Sequence, residues 1–182
     1  RYGGYLYVGY MSILMSVMQM ITIPVQGITQ GIQPIISYNY GAGNKERVKA
    51  TMKRMILVCL TGTLLLAGVA IFAPQIYTGL FTDNKELLEL TCKVMPVYFL
   101  GISIFGIQCA CQTSFISLGQ AKVSLFIALL RKIILLIPLA IILPKFMGVM
   151  GIYRAEPVAD VISVLTTSVV FIVTVKKVLR NM

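Results

Sequence analysis

Glu156 and Asp160 are two carboxylates that stand at the head of an apolar stretch, four residues apart. On a helix that spacing projects both from one face. Three chemistries fit them. Acids are favoured in the first turn of a helix by its dipole, and Pro157 between them suits the N1 position. Asp160, a turn deeper, is alternatively an intramembrane ionisable group that binds a proton or helps attract a cation. The third reading is an ion pair with Arg154 or another cation. Glu46, Asp83, Glu86 and Glu89 lie in connections and read as solvated.

A second set of candidates carries no charge. Read as a helix, Gln19, Gln26, Gln30 and Gln33 fall within about a third of a turn of one another. Ser12 and Ser37 extend the stripe, and the remaining faces are Ile, Val, Met and Leu. Amides aligned on a lipid-length helix are costly against hydrocarbon, so the stripe must face other helices or a wet cavity. Gln108 and Gln112 repeat the theme in a later apolar run, where no carboxylate accompanies them. Arg131 and Lys132 interrupt another such run, and long cationic side chains reach headgroups from that depth by snorkelling. Cys59, Cys92, Cys109 and Cys111 read as small buried hydrophobes, because Cys109 and Cys111 point to different helix faces. With no histidine in the sequence, zinc sites and imidazole relays are disfavoured, and no metal or cofactor is expected. The GAGNK stretch at Gly41–Lys45 lacks the surroundings of a phosphate-binding loop and reads as a helix C-cap and turn.

The elements that must position these residues follow from composition. The chain is 58% hydrophobic and 12% charged, whereas a soluble domain carries about 25% charge. It could not cover itself with polar surface, so the expectation is an all-α, polytopic integral membrane protein in a lipid bilayer. Apolar runs place helices at about 10–38, 55–81, 94–118, 123–143 and 157–178. Tyrosines, with no tryptophan available, would form the interfacial belts. Gly27 and Gly31 form a small-xxx-small pair suited to a second helix. The net charge of +10 comes from residues at the ends of apolar segments rather than from a basic face, so nucleic acid is not an expected partner. Lys45, Arg47, Lys49, Lys53, Arg54, Lys122, Lys176, Lys177 and Arg180 share one side of a five-span topology. That bias puts this side, with the C-terminus, in the cytoplasm of a plasma (inner) membrane. The chain opens at Arg1 without Met or a signal-type segment, which reads as a fragment with at least one helix preceding it.

Five motifs in order carry a family resemblance. They are QGITQGIQPIISYNYGAGN at Gln26–Asn44 with the basic RVKATMKR run after it, FTDN at Phe81–Asn84, SFISLGQAK at Ser114–Lys122, LLRKIILLIPLAIILP at Leu129–Pro144 and AEPVAD at Ala155–Asp160. Together they resemble the C-terminal half of the multidrug and toxic compound extrusion (MATE) transporters over essentially the whole chain. The resemblance implies a C-terminal lobe, residues 1–182, of a twelve-helix carrier whose N-terminal lobe and one further helix lie outside this sequence. It also implies a central cavity, export of cationic and amphipathic small molecules in exchange for Na⁺ or H⁺, and an inward-facing structural role for Arg131. Some members hold an Asp in the tenth helix, where Val94–Leu118 here has only Gln108 and Gln112. The rival readings are a flippase for lipid-linked saccharides, which would line its cavity with several cations, a membrane-embedded enzyme, and a scaffolding subunit. The enzyme would need a nucleophile, metal or paired-acid motif at mid-membrane that the sequence does not offer.

Overall fold

The computed structural model describes residues 5–81 and 84–182, with the side chains of residues 5–8, 10, 86, 87, 149 and 152 excepted. Arg1, Tyr2 and Asp83 thus lie outside the described residues. Among those described the chain is helix and turn, without a strand. The order is α1 (Tyr5–Gly41), α2 (Lys45–Phe72), α3 (Pro74–Thr78), α4 (Lys85–Ser103), α5 (Phe105–Ser117), α6 (Ala121–Leu129), a π-helical segment (Leu130–Leu136), α7 (Ile137–Met147) and α8 (Val149–Arg180). Five stretches are long and apolar enough to cross a bilayer: Met11–Gly41, Lys45–Phe72, Leu88–Ser117, Ala121–Met147 and Tyr153–Arg180.

Two apolar clusters hold these helices together. In one, Leu14, Val17 and Ile21 of α1 meet Ala67 and Ala70 of α2, Met95, Tyr98, Phe99 and Ile102 of α4, and Tyr153 of α8. In the other, Val25 and Ile36 of α1 meet Met52, Met55 and Cys59 of α2, Ala110 and Leu118 of α5, and Leu179 of α8. Large apolar side chains such as Ile23, Leu65, Phe72 and Phe146 point outwards and exposed, which only hydrocarbon or a further helix can cover. Gly27 and Gly31 meet no other group within 4 Å, so no helix of the described chain lies on that pair.

The helix boundaries differ from the sequence expectation in ways that matter for the site. α2 begins at Lys45 rather than near 55, because Lys, Glu, Arg and Ala are good helix formers and Glu46 sits in the favoured first turn. The same helix stops at Phe72, where Ala73 leaves helical geometry ahead of Pro74. The third span is not one helix. It breaks at Ile104 between α4 and α5, and the freed Ser103 carbonyl accepts a 2.9 Å hydrogen bond from the buried Thr63 hydroxyl of α2. The fourth span runs past Pro144, which α7 contains, and ends at Gly148 with a φ of 58° that a side chain would oppose. α8 consequently starts at Val149, so Glu156 and Asp160 lie two and three turns inside it. The first-turn reading of these acids is thereby corrected, and Pro157 is an interior proline rather than an N1 residue.

α4 and α8 approach most closely at Gly101, where an added Cβ would stand 2.6 Å from Pro157 Cα and 3.1 Å from Asp160 Cβ. Gly101→Ala should therefore lower the melting temperature of the detergent-solubilised protein, at a cost of about 1–3 kcal/mol. Gly68→Ala, with nothing within 4 Å, is the control and should not lower it. Equal melting temperatures for the two variants would mean that this contact is not tight.

Candidate functional site

Three elements bring charge together beneath the α4–α8 crossing. Asp160 of α8 is 1% exposed, and its Oδ1 accepts a 2.7 Å hydrogen bond from Nε of Arg131, itself 13% exposed. Arg131 lies in the π-helical segment. That widened turn ends just before Pro138, whose missing N–H cannot close an ordinary helical bond. The guanidinium carbon stands 4.2 Å from the centre of the Phe105 ring at the start of α5, a cation–π contact that complements the hydrogen bond at its edge. One turn before Asp160, buried Glu156 accepts a short hydrogen bond from the Tyr98 hydroxyl of α4. The ion pair thus forms with Arg131 and not with Arg154, which is exposed and directs Nη1 towards the Met147 sulfur at 3.8 Å.

Arg131 also opens onto a cavity of about 740 Å³. α1 contributes Gln26, Thr29, Gln30 and Gln33 to its wall, α5 contributes Phe105, Gln108, Cys109, Gln112 and Thr113, and Lys132 stands beside Arg131. Five of the six glutamines singled out in the sequence therefore meet around one space. Gln19 is exposed but does not line it, since it sits almost two turns away along α1. The α1–α5 edge of the cavity is closed by paired serines: Ser37 donates to the Ser117 carbonyl at 3.3 Å, and Ser117 donates to the Gln33 carbonyl at 3.4 Å.

Sequence reasoning missed Tyr98 and Phe105, because nothing local marks which residue of a distant helix will face an acid. Snorkelling is the sequence expectation for Lys132, yet the structure places it on the cavity wall. Ser163 and Thr167 were also missed. Their spacing from Glu156 and Asp160 is a signal that the sequence held, since all four fall on one face of a helix.

An all-helical, multi-pass membrane architecture with a polar cavity and an internal ion pair is that of a membrane transport protein rather than a soluble binding module. The MatE family model matches residues 1–142, and the chain belongs to this family. Its relatives include the multidrug export protein MepA of Staphylococcus aureus (strain MSSA476), 24% identical over 161 residues that span 88% of this chain and 35% of that protein. Another is an FAD transporter of Shewanella oneidensis, 28% identical over 143 residues, 78% of this chain and 31% of the relative. Among solved structures, the MATE multidrug transporter DinF-BH matches with a TM-score of 0.81 at 32% identity, over 90% of this chain and 37% of that one. The Vibrio cholerae MATE transporter VcmN in its bent form matches in fold, with a TM-score of 0.84 at 19% identity over 98% and 40% of the two chains. The chain spans about a third of the length of the curated relatives it matches.

A buried pair broken on one side leaves an uncompensated charge. Arg131→Met or Asp160→Leu alone should each destabilise the detergent-solubilised protein by about 3–5 kcal/mol, while the double variant recovers most of the loss. Additive losses in that double-mutant cycle would show that the two residues do not depend on one another.

Proposed function

We propose that residues 1–182 form the C-terminal lobe of a cation-coupled antiporter that exports amphipathic small molecules, cationic ones among them, by alternating access. An N-terminal lobe and one further helix would complete the cavity. The observation that carries this reading is the Asp160–Arg131 pair, an ionisable couple buried between two spans on the edge of a polar cavity. Glu156, held by Tyr98 one turn away, is the second candidate coupling acid. The cavity glutamines offer donors and acceptors without fixed charge, which suits a wall that binds and releases varied compounds. The basic residues of the first and third connections and of the C-terminal end support a cytoplasmic C-terminus in a plasma (inner) membrane.

Of the two coupling ions the family resemblance allows, the pair favours H⁺. With Arg131 on Oδ1, a Na⁺ at the other oxygen would sit about 5 Å from the guanidinium and be repelled by roughly 3 kcal/mol. A proton there instead neutralises the acid and frees Arg131. No organic cofactor enters this scheme.

A second reading of the substrate rests on Lys132. Together with Arg131 it gives the described cavity wall two cations and no carboxylate, and one relative is named an FAD transporter. Anionic amphipaths such as flavin nucleotides therefore also fit. The flippase reading would call for more cations than these two.

The neutral pair Asp160→Asn with Arg131→Gln is the clean test of coupling, because Asp160→Asn alone strands a buried guanidinium and lowers the amount of protein in the membrane. The double variant should reach the membrane near wild-type level yet expel ethidium at about a tenth of the wild-type rate or less, a barrier increase of ~1.4 kcal/mol or more. Wild-type efflux would leave the pair a structural contact and nothing more. For the second reading, FAD should compete with ethidium efflux, and Lys132→Glu should weaken that competition about tenfold. Equal competition in wild type and Lys132→Glu would remove it.

A further inference from the structure

Four buried polar oxygens have no hydrogen-bond partner within the described chain: Gln108 Oε1, Asp160 Oδ2, Ser163 Oγ and Thr167 Oγ1. Each of these side chains belongs to a residue no more than 2% exposed. The two hydroxyls are conspicuous beside their neighbours. Thr166 and Ser168, on the other sides of α8, each return a hydrogen bond to the carbonyl four residues back, at 2.9 and 2.8 Å. Ser163 and Thr167 make no such bond, although it was geometrically open to them.

The four oxygens lie in one seam. α5 continues the line of α4, and two contacts fix how this span sits against α8. Gly101 abuts Pro157, and the Phe115 and Phe171 rings meet edge-on with centroids 5.8 Å apart. Both contacts give the same offset of 56 residues, so the two spans run in parallel and in a constant register. That register sets Gln108 level with Val164, between Ser163 and Thr167. Asp160, Ser163 and Thr167 follow one another on a single face of α8. From Asp160 to Thr167 the rise is roughly 10 Å, about the span of three successive hydrogen bonds between waters. One metal ion could not bridge that distance. At its side the seam meets Gln108, which also lines the cavity.

We propose that the α5–α8 seam is a hydrated lane that carries a proton from the cavity at Gln108 to Asp160 Oδ2. This rests on the coupling role proposed for Asp160 and gives it a route. Ser163 accepts from one water and donates to the next, so a proton passes along the file by exchange of O–H bonds, while Thr167, on the far side of Gln108 from Asp160, holds water at the other end of the seam. It ends on Oδ2, the oxygen that Arg131 does not hold, and the charge it neutralises is that of the carboxylate. The other charged or titratable groups facing Asp160 are Arg131 and Lys132 from the π-helical segment, Tyr98 from α4, Cys109 from α5, and Glu156 on α8 itself.

Two measurements on the whole protein in lipid test the lane. Radiolytic hydroxyl footprinting generates radicals from bound water, so Cys111, 1% exposed and one turn beyond Gln108, should be modified in the wild type. Thr167→Val should suppress that modification and Thr167→Ser should restore it. The second measurement follows the infrared carboxyl band after a pH jump, assigned to Asp160 by its loss in the neutral Asp160→Asn, Arg131→Gln pair. Ser163→Ala should slow its appearance about tenfold, whereas Thr167→Val, off the route from Gln108 to Asp160, should leave the rate within about twofold of wild type. An unmodified Cys111 in the wild type, or protonation at the wild-type rate in Ser163→Ala, would overturn the lane. A carboxyl band absent from the wild type, with Cys111 still modified in a Thr167-dependent way, would instead remove the coupling role of Asp160 and leave the seam wet.

Discussion

A charged carboxylate buried inside a membrane-spanning helix is costly unless it is paired, and the position of Asp160 is arranged around its pairing with Arg131. Its partner is 29 residues away in sequence, on the span whose π-helical segment and α7 pack against α8. Bringing Arg131 to it needs the π-helical turn that rotates the side chain inwards, and the Phe105 ring that stands against the guanidinium. It also needs Gly101, since a side chain there would lift α8 from α4. The ion pair, the aromatic face and the glycine crossing therefore form one dependency, and loss of any one displaces the others.

The breaks in the helices serve the same constraint. In hydrocarbon a backbone carbonyl released from a helix has no water to turn to. The carbonyl freed at Ile104 is taken by Thr63, which is itself buried in the α2–α5 contact. Beyond the break, Phe105, Gln108 and Gln112 of α5 line the cavity. At this break the chain itself supplies the partner, and the helix that follows lines the polar space.

Much of this was legible in the sequence. Apolar runs of bilayer length gave the number of spans, and the glutamines of α1 gave the cavity wall, apart from Gln19, which lies too far along the helix. The ordered motifs pointed to the family whose model the chain matches. Boundaries were less legible. Lys45–Arg54 reads as a connection because charge marks the membrane edge, but charged residues that favour helix simply carry α2 out beyond that edge. The same misreading places Glu156 and Asp160 at a helix start, because Pro157 and the loop-like composition of Lys145–Arg154 look like an entry point. Only the packing of α7 against α8, with Leu143 backbone against Gly151, reveals that the helix has already begun. The Arg131–Asp160 and Tyr98–Glu156 pairings were not legible at all, since each depends on the register between helices far apart in the chain.

That register also explains why a buried ion pair suits a moving part. Removing two charges from water costs nearly as much as their attraction returns, so the pair contributes little net stability while its separation into unpaired charges is costly. A single proton changes that balance. It removes the charge on Asp160, leaves Arg131 to the Phe105 face and the cavity, and does so without breaking an apolar contact. On the coupling role proposed above, that change of charge is the differential interaction by which a proton would bias one arrangement of the carrier over another. A well-packed apolar cluster in the same position would be at least as stable and would have nothing to respond to.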